Sequence, residues 1–288
     1  MTIRVLVPSS LVRETADKRE ATRKVGWIAR AATIFRVDRV VVYADPEGDA
    51  TANWDGGFVE TVLRYAGTPP YLRKDVWGSR DELEYAGVLP PLHATSQTGS
   101  GSNDPGSLRQ GLVTRVGPDG RVRVNCGMQH PISLVVPDGM SVDEGDRVPV
   151  RISSRRPVRA RIVDAPMPGY AVRRADLATA LDADDAGVTI ATSRTGVPVT
   201  LSRLRTLVRA VERDGATIAF GAPGRGLRDI IGSGTTETGS TPSGDSTVVD
   251  VGADRFDHWL NVIPRQGTEV VRTEEAVFAA LAPLTLTE

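Results

Sequence analysis

The sequence predicts an α/β fold interrupted by a small all-β module. Three observations carry that expectation. Residues 1–90 alternate strand, helix, strand and helix; residues 107–164 break into short alternating segments separated by turns; and strand-loop-helix units return after Gly169. Helices between strands point to a parallel sheet covered by helices, whereas four or five short strands in succession point to a barrel or sandwich.

The first strand is the apolar run Ile3 to Pro8. Asp17 then stands as an N-cap before a helix reaching about Phe35, in which Val25, Ile28, Ala29, Ala32 and Ile34 give an apolar face. A second strand follows from Arg39 to Ala44, and a second helix from Asn53 to Ala66 that ends at Gly67 and the Pro69-Pro70 pair. Gly87 to Ser107 is a linker rich in Pro, Gly and Ser. The segments "GLVTRVGPDGRVRVNC", "ISLVVPDG", "RVPVRISS" and "PVRARIVD" form the module, of the class that includes OB-folds. Beyond it, Gly187 to Gly196 reads as a buried strand ending in a polar turn, Thr200 to Gly215 as an amphipathic helix, and Ala216 to Ile231 as strand, Gly-rich loop and helix. The tract from Gly232 to Thr247 has a low-complexity composition expected to be mobile. In "LNVIPRQGTEVVRTEEAV", a strand through Leu260, Val262 and Ile263 breaks at Pro264, turns at Gly267 and meets a helix capped by Thr273, with Glu274 and Glu275 in its first turn.

Composition narrows the chemistry. A single cysteine, Cys126, excludes an internal disulfide and a cysteine-rich zinc site, and it reads as a small core residue. His93, His130 and His258 have no metal-ligand spacing, so no metal is expected. Trp27, Trp54, Trp77 and Trp259 fall in helix or strand contexts and read as core. No run approaches the roughly 18 apolar residues of a membrane span, and "MTIRVLVPSS" lacks a secretory apolar region, so a cytoplasmic protein is expected. The net charge of −1 conceals an uneven distribution: between Arg109 and Arg174 twelve arginines face six acids. Such a basic middle suits phosphates, with Arg115, Arg121, Arg123, Arg151, Arg155 and Arg156 as the candidate RNA contacts. The module has almost no aromatic residues, so binding there would rest on charge more than on base stacking.

Ligands of open α/β sheets sit beyond the C-terminal ends of the strands. Three late strands end in candidate loops: Thr192 to Gly196, Gly221 to Gly226, and Ile263 to Thr268. The first strand lacks the glycines of a dinucleotide fold, and no lysine follows residue 74 to complete a P-loop. A nucleoside cofactor without phosphates, gripped by backbone groups, fits these loops better, and S-adenosylmethionine answers that description.

These residues carry a resemblance. "FGAPGRGL", "LNVIPRQGTEVVRTEEAV" and "IATSRTG", with "KREATRKVGWIARAATIFRVDRVVVYAD" and "YLRKDVWGSRDELEYAGVLPPL" in the N-terminal half, resemble the SPOUT superfamily of knotted RNA methyltransferases. The similarity is strongest to the branch of rRNA methyltransferases whose SPOUT domain carries an OB-like insertion. The resemblance implies a trefoil-knot methyltransferase domain over residues 1–90 and 166–288, an inserted OB-like β-barrel over 91–165, a homodimer, and S-adenosylmethionine as cofactor. It further implies that Arg194, Gly221, Gly224, Gly226, Leu227, Asn261, Ile263, Pro264, Gln266, Gly267, Thr268 and Thr273 surround the cofactor, with residues 261–273 as the knot loop. The chain departs from the family pattern in the long insertion "HATSQTGSGSNDPGSLRQG" and in the extended tract at 232–247.

For this branch the resemblance points to N3 of a uridine in large-subunit rRNA. Methyl transfer there needs positioning and loss of a weakly acidic imide proton. The candidates are Arg30, Arg36 and Arg272 as cations that favour the ionised base, and Glu269 as the base. Two other readings stand beside this one: a non-catalytic RNA-binding or ribosome-assembly factor on the same fold, and a tRNA methyltransferase. Intact glycines in all three loops argue against a decayed pocket.

Overall fold

A computed structural model of the chain describes residues 1–49, 54, 56–92, 107–118, 120–233 and 253–286. Most of the linker at 87–107, with His93, and nearly all of the 232–247 tract lie outside the described residues. In chain order the elements are β1 (Ile3–Pro8), α1 (Lys18–Ile34), β2 (Arg39–Tyr43), α2 (Pro46–Asp49), α3 (Gly56–Ala66) and α4 (Pro70–Trp77). Next come β3 (Ser107–Val116), β4 (Arg121–Asn125), β5 (Ile132–Val135), β6 (Arg147–Arg155) and β7 (Val158–Ile162). The chain ends with β8 (Ala171–Arg174), α5 (Leu177–Leu181), β9 (Val188–Pro198), α6 (Leu201–Asp214), β10 (Ala216–Ala219), α7 (Leu227–Ser233), β11 (His258–Asn261) and α8 (Thr273–Leu284).

Six strands form one sheet in the order β11-β9-β10-β1-β2-β8, every pair parallel. A parallel sheet has both faces covered, and the strands alternate accordingly. Val5, Val7, Val40, Val42, Ile190 and Ile218 face α1, α3, α6 and α8, whereas Leu6, Val41, Tyr43, Ala191 and Ala219 face α5 and α7. α1 starts where the sequence places it, with the Asp17 carboxylate accepting from the Glu20 N–H at 2.7 Å. Three elements differ from expectation. α4 begins with Pro70 at its first position, where the missing N–H costs nothing, so the Pro pair opens a helix as well as ending one. β8 extends the sheet beyond β2 although "AVRR" carries no strand-like alternation. β11 ends at Asn261, ahead of Val262 and Ile263, because the Asn261 carboxamide takes the Ile263 N–H at 3.0 Å and turns the chain.

The second sheet is antiparallel, in the order β5-β4-β3-β6-β7, and its two outer strands approach one another to leave a nearly closed barrel-like form. Val122, Val124, Val148, Val150 and Ile152 point inward around a buried Cys126, and the arginines between them point out. Tyr71 on α4 donates to the Gln110 carbonyl at 2.8 Å and Asn125 donates to Asp75 at 2.9 Å, which fastens the barrel to the helices of the first sheet.

Candidate active site

β9, β10 and β11 lie side by side, and a bulged stretch within β9, at the Thr192 to Gly196 segment expected as a loop, joins the loops that leave β10 and β11 to line a cavity of about 550 Å3. This is within the range of small-ligand pockets, about 300 to 1,000 Å3. A long bulge makes the first wall. Trp259 pairs with Ala191 and the next residue, Leu260, pairs with Val197, so residues 192–196 of β9 have no partner on β11 and bow outward. Gly196 lets the strand return, since a Cβ there would stand 2.6 Å from the Leu260 carbonyl carbon. The bulge is tied across its mouth by Asn261, whose side chain donates to the Arg194 carbonyl at 2.9 Å.

The second wall is "GAPGRG". Ala222 and Arg225 exchange two backbone hydrogen bonds of 3.0 and 3.1 Å, and Asp229 accepts from the Gly226 N–H at 2.8 Å. A Cβ on Gly221 would fall 2.7 Å from the Leu227 nitrogen, so only glycine allows the loop to fold this tightly onto the start of α7. Behind the loop, Arg225 reaches Asp45 at 3.0 Å and Glu47 at 2.8 Å, Ser10 donates to Asp45, and the Tyr43 hydroxyl donates to the Phe220 carbonyl at 2.6 Å. The third wall is the segment after β11, which ends where the Thr273 hydroxyl donates to the Gly221 carbonyl at 2.9 Å. Thr273 is therefore the first residue of α8 and not its cap. The cap position is Arg272, whose N–H is taken by the Glu275 carboxylate at 2.9 Å.

The lining joins glycines and short polar side chains to an apolar set that includes Phe220, Leu227, Val262, Ile263, Val270 and Val271, with Asp229 and Glu269 as acids and Arg194, Arg225 and Arg228 as cations. Backbone donors and acceptors suit a purine and a ribose, and the carboxylates suit hydroxyl donors or a cationic centre. Among the described residues no group of His, Cys, Asp and Glu could hold a metal ion, and no helix is long and apolar enough to cross a membrane.

Residues 2–284 match the family model described as "Putative RNA methyltransferase". The chain belongs to that family. An uncharacterised protein of Halobacterium salinarum is 62% identical over the whole of both chains, and one of Haloarcula marismortui is 61% identical, again over both. The mouse 28S rRNA (uridine-N(3))-methyltransferase is 28% identical over 98% of this chain and 76% of its own length.

Of the residues expected around a cofactor in this RNA methyltransferase, Arg194, Gly221, Gly224, Gly226, Leu227, Asn261, Ile263, Gln266 and Thr273 line the cavity. Pro264, Gly267 and Thr268 belong to the same loop without lining it. Of the four catalytic candidates, Glu269 lines the cavity. Arg272 lines a neighbouring cavity on the other face of α8. Arg30 donates to the Pro91 carbonyl at 2.9 Å, away from both. Arg36 follows the end of α1 with a left-handed φ of 52°, and the next residue, Val37, donates to the Ala32 carbonyl at 2.9 Å, so Arg36 occupies the place of a helix C-terminal glycine, outside both cavities. On the barrel, Arg115, Arg121, Arg123 and Arg156 are exposed and Arg151 is half-buried; the Arg155 side chain lies outside the described set.

Sequence reasoning missed Asp45, Arg225 and Arg228. Asp45 follows a strand end, the position where ligand-site residues collect, and that was its available signal. Of the tryptophans read as core, Trp54 and Trp259 pack half-buried against it, whereas Trp27 is 44% exposed, because it sits at the rim where α1 meets α8.

Proposed function

We propose that this chain is an S-adenosylmethionine-dependent methyltransferase acting on N3 of a uridine in large-subunit rRNA. One observation carries the reading: a cavity of glycine, short polar and apolar residues formed by the β9 bulge and the loops after β10 and β11, in a chain 98% of which matches a 28S rRNA (uridine-N(3))-methyltransferase. The residues fit the cofactor: Gly221 lets the loop fold closely onto the start of α7, and the cavity sets an apolar surface from Leu227, Val262 and Ile263 beside backbone and short polar groups, as a nucleoside with a thioether chain requires.

In this reading Gly221, Gly224, Gly226 and Leu227 hold the adenosine part from one side, and Asn261, Ile263 and Gln266 from the other, with Pro264, Gly267 and Thr268 shaping that loop behind them and Arg194 and Thr273 closing the ends. When bound, the cofactor supplies an electrophilic methyl group. The chain's own work is to orient the acceptor, exclude water and take up the imide proton. Arg272 favours the ionised base, whereas Arg30 and Arg36, engaged elsewhere, act on the fold. The larger unit, 1–90 with 166–288, is a SPOUT domain with a trefoil knot at 261–273, and 91–165 is an OB-like insertion that meets RNA phosphates through Arg115, Arg121, Arg123, Arg151, Arg155 and Arg156. The working form is a cytoplasmic homodimer.

Thermal unfolding with S-adenosylhomocysteine, and with ATP and NAD as controls, tests the pocket. A ligand at about 100 times its Kd adds roughly 2.7 kcal/mol, so a shift of a few degrees is expected with the first compound alone. No shift with it, in folded protein, contradicts the reading.

A further inference from the structure

α4 works with two different faces. Tyr71 and Asp75, four residues apart, hold the barrel, the first through the Gln110 carbonyl and the second through Asn125. Arg73 and Trp77, also four apart, lie on another face and pack against Tyr65 near the end of α3. Planar groups meet in succession there. The Arg73 guanidinium lies over the Tyr65 ring at 4.7 Å, Tyr65 meets Trp77 edge-on at 6.0 Å, and the Arg80 guanidinium lies over Trp77 at 5.4 Å.

Thr68 fixes this group from one side. Its hydroxyl accepts from the Trp77 indole at 3.0 Å and from Arg147, the first residue of β6, at 3.4 Å, and its carbonyl accepts from Arg73 at 3.0 Å. The other side is open, since Tyr65, Arg73 and Trp77 are half-buried and Lys74 and Arg80 are exposed. Charge here is one-sided. Of Arg64, Arg73, Arg80 and Arg147, only Arg64 has a carboxylate partner among the described residues, Glu60 at 2.7 Å. The acids that follow α4, Asp81 and Glu84, are taken by Lys18. Burial and the nearby Arg64 hold Arg147 below the ordinary arginine value, so an added anion would be favourable. Guanidinium groups gathered around aromatic planes with few carboxylates match a nucleic acid whose base faces are accessible, and a duplex hides those faces.

We infer that this α3–α4 surface binds single-stranded RNA, with one base stacked on Trp77 and Arg80 and the neighbouring phosphate beside Lys74. The inference rests on the reading of this chain as an RNA methyltransferase. It supplies the stacking that the barrel lacks, since the arginines there have almost no aromatic residues among them. The surface is remote from the chemistry. α3 packs on β8, at the opposite edge of the sheet from β11, and the loop after β11 lines the cofactor cavity. Its work is to hold the substrate, not to transfer the methyl group.

Fluorescence anisotropy of the full chain with a labelled single-stranded oligouridine, and with an RNA duplex of the same length, tests the surface. Trp77→Leu, Arg80→Ala and Arg80→Lys should each weaken the single strand by about tenfold, the effect of losing one base stack. Duplex binding and the thermal shift caused by S-adenosylhomocysteine should not change. The Arg80→Lys variant keeps the charge and loses the plane, so its salt slope should also stay as it is. Arg80 is exposed, so its variants keep the test valid should Trp77→Leu fold poorly. Arg80→Lys binding the single strand as tightly as the unaltered protein would overturn the inference. So would equal losses for single strand and duplex, or no RNA binding by unaltered protein that shows the thermal shift. Absence of that shift, with the single-strand losses as expected, would instead remove the methyltransferase reading and leave the surface standing.

Discussion

The Arg225 guanidinium lies 3.0 Å from the Asp45 carboxylate, joining the glycine-rich loop after β10 to the end of β2, 180 residues earlier in the chain. Asp45 is fully buried and also accepts from Ser10 and from the Gly48 N–H, so the loop is fastened to a fixed acceptor and not to a solvated side chain. One wall of the cavity thus depends on residues from both halves of the chain.

Removing one member of a buried pair leaves the other without compensation, at a cost of about 3 to 5 kcal/mol. Arg225→Ala is expected to lose stability of that order and to loosen the loop, with Arg225→Lys recovering part of it. Urea unfolding measures the first effect and calorimetry with S-adenosylhomocysteine the second. Unchanged values for both would show that the pair does not hold the loop.

Gly221→Ala is a sharper probe of the cavity. Its Cβ would meet the Leu227 backbone nitrogen at 2.7 Å, which no side-chain rotation can relieve. Loss of S-adenosylhomocysteine binding by about tenfold or more is expected, since a shift of even 1 Å in a positioned site is felt strongly.

The sequence made β1, β2, α1 and α6 legible because each is short-range: an apolar run, or an apolar face with a cap at Asp17 or Thr200. The loops after β10 and β11 were also legible, because glycine and proline placed after strands mark them, whereas Thr192 to Gly196, expected as a loop, is a bulge within β9 that only its pairing with β11 reveals. β8 was not legible either, since "AVRR" becomes a strand only through its pairing with β2. The role of Thr273 was hidden for the same reason: its hydroxyl is spent on Gly221, 52 residues away, and not on its own helix. Asp45, Arg225 and Glu274 gain their character from burial and partners across the fold, which no local pattern records.

Glu274 should leave a mark on stability. Its carboxyl is raised in the folded chain, so the contribution is present below the ordinary carboxylate range and is lost as pH rises through the folded value. The stability of Glu274→Gln relative to the unaltered protein should therefore increase as pH rises from about 4.5 towards neutrality. Urea unfolding across that window checks the slope, and a flat difference would mean that Glu274 is not buried as described.

On the barrel, Arg115 of β3 stands opposite Arg123 of β4, both exposed. Like charges directly across a ladder are unfavourable, and a bound phosphate would relieve them. Replacing both with alanine should weaken RNA binding and flatten its salt dependence by about 0.7 per lost single-strand phosphate contact. Titrations of an RNA oligonucleotide at several salt concentrations give the slope, and an unchanged slope would remove these two arginines from the RNA surface.

Methylation of a uridine at N3 has a direct readout in the nucleoside that carries the label. An unmodified large-subunit rRNA transcript of Halobacterium salinarum, incubated with the protein and isotopically labelled S-adenosylmethionine and digested to nucleosides, tests it by mass spectrometry. The label is expected in N3-methyluridine and absent from the Gly221→Ala variant. Label in another nucleoside, or no label from protein that binds S-adenosylhomocysteine and this RNA, would contradict it.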